Sequence, residues 1–402
     1  MDDVKHLSSS QDRLCVGIWF QRTNIHLREF FRFAQGQGKI PGLDAKKLAT
    51  LRNNLHAQNL HFLERDLNLL TLQSEGIDMS MTEDGVILLS KKEANLSAGV
   101  KALEKYYRDV FGPALSYLFS RGAPVPKSLS NLKEIFPIVV VTKNKDEKGI
   151  RAIYETFKET PYTSAHASDV TIYFSNNLNV FNLHEPIMSD AEVDELLRLS
   201  VFFRDLESQL NEYLELHRDI WDEVSGIRET PSLRSRDFPI VRNKILDITK
   251  TLSFVEARIA QMGNILDERE AVVSEHEHAR LRQLELNSFE SLKAGQRYVS
   301  NLWNMTEEYT EKTLDLLKTL YEDNAQRGTS ILNFLLFLTV LTGFFGMNIA
   351  FPWQPEWMKE QLASWMTIFA ICVISLTGYI LLARFVDNQK FDIRTEKKKK
   401  EH

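Results

Sequence analysis

Two stretches without a charged residue decide what this chain can fold into. Asp, Glu, Lys and Arg are all absent from Gly328 to Pro355, and again from Gln361 to Ala383. A bilayer core about 30 Å thick takes roughly 20 apolar residues of helix. Ile331–Ile349 and Leu362–Ala383 each meet that length, so the sequence predicts two adjacent transmembrane helices. Arg384, Lys390, Arg394 and Lys397–Lys400 follow the second run, Lys312, Lys318 and Arg327 precede the first, and Phe351–Glu360 holds only Lys359. The positive-inside rule then places both termini in the cytosol and a short loop outside. Trp353, Trp357 and Trp365 fall near the outer edge, where interfacial aromatics collect. The opening MDDVKHLSSSQDR has no apolar stretch and is not Arg-rich, unlike a secretory signal or a transit peptide.

A net charge of −6 argues against a nucleic-acid partner, which selects for a basic footprint. Cys15 and Cys372 are the two cysteines, too few for a disulfide scaffold or a Cys-based zinc site.

Before the membrane the first 130 residues read as mixed α/β. Leu14–Phe20 is a strand candidate and Ala45–Leu72 a long helical pattern. Ile77–Met81 and Val86–Leu89 flank Asp84-Gly85, a hairpin signal. Lys92–Phe119 is helical, with Gly112-Pro113 expected to kink or break it, and Gly122–Pro126 is a loop. Ile135–Thr142, Val170–Phe174 and Leu178–Leu183 read as strands, with a helix over Gly149–Thr160. Ser189 and Glu192 form a capping box ahead of a helix through Leu214. Gly226 to Pro239 is a break, and Ile240–Phe351 holds no proline. A stalk helix on the order of 110 Å, running without interruption into the first membrane span, is the expectation.

The first span ends in Thr339, Gly343, Phe345, Gly346, Met347 and Asn348. Asn at a membrane edge is costly unless it faces water or another polar group, so a ring of Asn348 amides around an axis is one reading and a helix C-cap the other. Such a ring of neutral amides and backbone carbonyls would hold a hydrated cation loosely enough to release it. Alternating steps of three and four residues back from Thr339 reach Leu336, Leu332, Thr329, Ala325, Glu322, Lys318, Asp315 and Glu311. Leu332 and Leu336 suit a hydrophobic gate, or a plain packing seam. Glu322, Asp315 and Glu311 suit acidic rings that concentrate cations at a cytosolic mouth, or a solvated face. His276 and His278 stand at i and i+2, which do not face each other on a helix, so they read as solvated. His184-Glu185 reads as a loop. Lys397, Lys398, Lys399 and Lys400 set topology or bind anionic lipid. No nucleophile, base or nucleotide loop suggests an enzyme.

Gly346-Met347-Asn348 at the outer end of the first of two C-terminal spans, after a long helix, resembles the CorA family of divalent-cation channels. Thr339 and Gly343 match the family's upstream threonine and glycine; Phe345 replaces its usual tyrosine and Phe337 a common proline. Gln354-Pro355-Glu356-Trp357 is similar to the family's Met-Pro-Glu-Leu loop, two residues later, which marks Glu356. Residues 1–130 match no family motif. An interface position that is acidic in the family, and senses Mg²⁺ there, falls on Asn287.

The resemblance implies an α+β cytosolic domain, a very long stalk helix and two transmembrane helices in a funnel-shaped homopentamer. The expected divisions are 1–185 for the α/β domain, 186–328 for the helical region, 329–350 and 362–384 for the spans, 351–361 for the loop and 385–402 for the basic tail. It further implies a prokaryotic inner-membrane protein that contacts lipid and carries Mg²⁺, or Co²⁺ and Ni²⁺, passively, with Mg²⁺ also regulatory. Gly346, Met347 and Asn348 would form the filter and bind the ion, with Thr339 as a second polar ring and Lys397, Lys398, Lys399 and Lys400 as a collar around the inner mouth. The rivals are a proton-coupled Zn²⁺ transporter, a CorA-like effector gated by a small molecule such as the nucleotide messengers of CRISPR defence, and a membrane-anchored interaction protein with no pore.

Overall fold

The computed structural model describes residues 12–20, 26–37, 42–64, 67–119, 136–185, 188–230, 232–273 and 289–346, with 373, 377, 378, 380, 381, 384 and 390–392. The chain divides into two compact units, Met1–Glu215 with Phe254–Leu302, and Leu216–Ser253 with Trp303–His402.

The first unit is built on one nine-stranded sheet. Its strands are β1 (Arg13–Trp19), β2 (Gln58–Leu63), β3 (Leu69–Ser74), β4 (Ile77–Thr82), β5 (Val86–Lys92), β6 (Ile138–Lys143), β7 (Thr163–His166), β8 (Val170–Phe174) and β9 (Leu178–Leu183). They lie in the order β2-β3-β4-β5-β1-β6-β9-β8-β7. Among the described strands only the β6–β9 pair is parallel. Residues 12–92 and 138–183 therefore share a single sheet rather than forming separate domains.

Strand alternation sorts the side chains into two faces. Leu14, Val16, Leu72, Met81, Ile87 and Val180 join a core with α1 (Leu27–Ala34), α2 (Ala45–Leu55), α3 (Leu96–Tyr106), α4 (Gly112–Phe119) and α5 (Glu147–Phe157). The opposite face receives α6 (Asp190–Glu229). Gly17 is there because any Cβ would overlap the Val201 methyls. Ser189 and Glu192 make the reciprocal capping-box bonds at the start of α6, as the sequence predicts.

Three sequence expectations change. The pattern read as one helix over Ala45–Leu72 is a helix only to Leu55, where His56 turns left-handed at φ 44°, and then strands β2 and β3. Leu60 and Phe62 reach the core by strand alternation, which mimics a helical stripe over so short a stretch. Glu75-Gly76, both at positive φ, then closes an unanticipated two-residue hairpin. At Gly112-Pro113 the helix is not broken. A π-turn over Tyr107–Phe111 widens it, with the Gly112 N–H bonded to the Tyr107 carbonyl, and Pro113 sits in the first turn that follows. Finally, the stalk does not begin at Ile240.

The helices α7 (Phe238–Val272) and α8 (Phe289–Gly346) are separate. Lys293 on α8 pairs with Asp267 and Glu270, both at 2.5 Å, and Gln296 Nε2 donates to the Ile259 carbonyl at 2.9 Å. Rising numbers on one helix meet falling numbers on the other, so the two are antiparallel and the chain reverses between them.

Arg269 on α7 fastens the β4–β5 hairpin. Its guanidinium pairs with Asp84, both side chains 2% exposed, and lies 4.8 Å from the centre of the Phe202 ring. Asp84 also accepts from Thr82 Oγ1, and its carbonyl accepts from Trp19 Nε1 at 2.8 Å. The Trp19 amide in turn donates to Asp205 of α6 at 2.5 Å.

On α6, burial and the neighbouring Glu215 push the Glu212 carboxyl up to about 7 from its ordinary 4.5. The folded chain keeps a proton that the unfolded chain releases in this window, so stability is lost as pH rises from about 4.5 to about 7. Glu212→Gln should therefore unfold at a higher temperature than wild type at pH 8, by about 1 kcal/mol of stability after solvent screening, and match it near pH 4.5. Thermal unfolding at both pH values checks this.

Candidate functional site

Helix α8 carries the residues singled out for the pore, and in the second unit its two faces differ. One face is buried. Trp303, Thr306, Thr310, Thr313 and Leu317 recur at steps of three and four, each under 5% exposed. Thr306 Oγ1 shares a 2.7 Å hydrogen bond with His217 Nε2. His217 packs on Trp303 and Trp221, and Trp221 stacks on Tyr309 with ring centres 4.8 Å apart. Further along, Leu317 joins Ile227, Leu233, Phe238 and Ile245 in a small apolar cluster. Thr310 and Thr313 bond back to the carbonyls four residues earlier, so their hydroxyls are satisfied inside the helix.

The other face is open. Glu311, Asp315, Lys318, Glu322, Ala325, Thr329, Leu332, Leu336 and Thr339 are all exposed. This is the row that the three-and-four spacing picks out. It runs about 42 Å along the helix at 1.5 Å per residue. Its lower end is charged and its upper end apolar, with Leu332 56% and Leu336 59% exposed.

Gly343 is helical and Gly346 is the last residue of α8. Met347, Asn348, Glu356, Lys397, Lys398, Lys399 and Lys400 lie outside the described residues, as do His276, His278 and Asn287. Of the first expected span, 329–346 is helical; of the second, Val373, Thr377, Gly378, Ile380, Leu381 and Arg384 are helical. Among the described residues no helix is long and apolar enough to cross a membrane. No group of three or more His, Cys, Asp or Glu side chains among them is placed to hold a metal ion.

Three features had no sequence signal. The Arg269–Asp84 pair joins residues far apart in the chain. His184, read as part of a loop, lies just past the end of β9 and bonds Thr171 at 2.8 Å. Lys390–Asp392 forms a strand, β11, antiparallel to β10 (Ser232–Arg234).

No protein-family model matches the sequence, and no curated protein is similar to it. Among solved structures, the CorA magnesium transporter of Methanocaldococcus jannaschii aligns at 13% identity and a TM-score of 0.29, over 61% of this chain and 89% of that one. The soluble domain of the same transporter aligns at 12% identity and 0.23, over 44% and 86%. Superpositions this loose carry no argument about fold or function.

Proposed function

We propose that this chain is one subunit of a passive divalent-cation channel, with Mg²⁺ as its principal ion, in the cytoplasmic membrane of a prokaryote. The reading rests on one observation. Helix α8 buries one face from Trp303 to Leu317, and the row from Glu311 to Thr339, exposed at each of its positions, leads in sequence to Gly346-Met347-Asn348. Several copies arranged with that stripe inward, five by resemblance to the CorA family, would cover Leu332 and Leu336 against one another. Ile331–Ile349 and Leu362–Ala383 are then the two spans of each subunit, and both termini lie in the cytosol.

Each group on the stripe has a task in this arrangement. Glu311, Asp315 and Glu322 outnumber Lys318, so every subunit adds negative charge to the inner mouth, and repeated rings raise the local cation concentration. Leu332 and Leu336 close the path by excluding water. Thr339 offers a ring of hydroxyls. Asn348 offers neutral amide oxygens that contact the ion's hydration shell without stripping it. Glu356 in the outer loop draws cations toward the filter. Lys397–Lys400 meet the anionic inner leaflet, at about 1 kcal/mol for each basic residue near the surface. The membrane potential drives entry, worth about 2.3 kcal/mol per charge per 100 mV.

One observation favours a second reading, in which the same pore opens on binding a small molecule. Arg13, His61, Asp78 and Asp194, with Leu72, Met79 and Leu88, line a cavity of about 330 Å³ on the sheet of the first unit that is polar and apolar in equal measure. A rise in unfolding temperature with nucleotides but not with Mg²⁺ would favour it. A Zn²⁺ cargo is separated from Mg²⁺ by ion competition.

The reading predicts Mg²⁺ uptake by liposomes containing the purified protein, and at least a tenfold loss in Asn348→Ala. Equal flux in both proteins would remove Asn348 from the filter. No flux in either leaves a pore closed until a ligand binds or a membrane-anchored protein without a pore, and the shift of unfolding temperature with nucleotides separates these two.

A further inference from the structure

We propose that His166 and His184 form a binding site for a divalent transition ion of the class of Ni²⁺, Zn²⁺ or Cu²⁺, at the β7 edge of the nine-stranded sheet. The site lies within the first unit and stands independently of the channel reading. Two imidazole rings aim a nitrogen at one atom there. His166 Nδ1 is 3.2 Å and His184 Nε2 2.8 Å from the Thr171 hydroxyl. The two nitrogens are therefore no farther apart than those two distances laid end to end.

The sheet sets up this convergence. Strand β8 pairs antiparallel with β7 on one side and with β9 on the other, and the register places His166 and Asn182 opposite Thr171. Opposed residues share a face, and so do residues two apart along a strand. Ser164, His166, Thr171 and His184 thus stand on one face. The Ala167 amide donates to the Val170 carbonyl at 2.9 Å and closes the β7–β8 hairpin, while the His184 amide donates to the Asp169 carbonyl at 2.7 Å. Both histidine backbones are held where the rings meet. Thr171 is buried, but His166 is exposed and His184 half-buried, so an ion in solvent has access to the rings.

A hydroxyl has one proton and can give it to only one of two imidazoles. A metal ion needs a lone pair from both. His166 Nε2 shares a 3.1 Å hydrogen bond with Ser164 Oγ. With the proton on Nε2 and donated to Ser164, the lone pair of Nδ1 faces the Thr171 side, toward His184. Holding the second ring nitrogen in this way is how proteins fix the tautomer of a ligating histidine. Rotation of the two side chains brings both nitrogens to the usual metal distance of about 2.0–2.1 Å. Imidazole suits Zn²⁺, Ni²⁺ and Cu²⁺, whereas Mg²⁺ takes oxygen ligands. Two protein ligands leave the other positions to water, so the ion exchanges. When bound, it clamps the β7–β8 hairpin to the end of β9 and raises the stability of the folded chain.

The test uses full-length protein without a histidine tag, titrated with Ni²⁺ by calorimetry and followed by thermal unfolding. One Ni²⁺ should bind per chain and raise the unfolding temperature, and Mg²⁺ should neither compete nor reproduce the rise. His166→Ala and His184→Ala should each weaken Ni²⁺ binding by about tenfold or more, and Ser164→Ala by about tenfold through the lost tautomer control. Thr171→Val, which breaks the hydrogen-bond chain but keeps both rings, should still bind. Unfolding of every variant in EDTA checks that it is folded, and Ser164→Ala is the mildest of the changes. Absence of saturable Ni²⁺ binding in the wild type overturns the site and leaves a hydrogen-bonded staple of the sheet edge. Binding that survives in the double variant of His166 and His184, or that is lost only in a double variant of His276 and His278, overturns it as well.

Discussion

One buried stripe of helix α8, from Trp303 to Leu317, sets how the rest of that helix is presented. A helix of 58 residues is about 87 Å long. Its buried stripe uses large and hydrogen-bonded groups, Trp303 and the threonines among them, and these fix its rotation in the second unit. Among the described residues, the side chains of Leu332 and Leu336 further along the helix are exposed. The charge on the stripe, the apolar section above it and the glycines that follow all take their position from this one rotational choice.

The first unit is held by a different kind of contact. Arg269 and Asp84 are buried together, and breaking one partner of such a pair typically costs 3–5 kcal/mol because the other charge is left without compensation. The pair joins the β4–β5 hairpin to α7, while Trp19 and Asp205 join β1 to α6. The nine strands and two long helices are thereby fastened through hydrogen-bonded groups at defined points, where apolar packing alone would let them slide.

Local signals in the sequence located several elements closely. A β-branched run found β6, two short apolar runs around Ser175-Asn176-Asn177 found β8 and β9, Asp84-Gly85 found its hairpin, and Ser189 with Glu192 found the start of α6. The three-and-four row was also legible, because an amphipathic stripe is a property of one helix. Local pattern failed where tertiary context decides. Residues 58–72 satisfy a helical stripe on paper, yet the left-handed turn at His56 and pairing with β4 make them strands. The absence of proline from 240 onward suggested one stalk, but the antiparallel ion pairs of Lys293 show that the chain turns back. The β10–β11 pairing, between positions far apart in sequence, leaves no trace in composition or period.

The central claim is that the open stripe of α8 faces water inside an assembly while the rest of its upper half does not. A cysteine placed in turn at every position from Thr329 to Thr339, in protein without its native cysteines, tests this directly in liposomes exposed to a small cationic thiol reagent. The account predicts modification that stops Mg²⁺ flux at Thr329, Leu332, Leu336 and Thr339 and spares the positions between them. Modification with no three-and-four period, or strongest at the intervening positions, would contradict it.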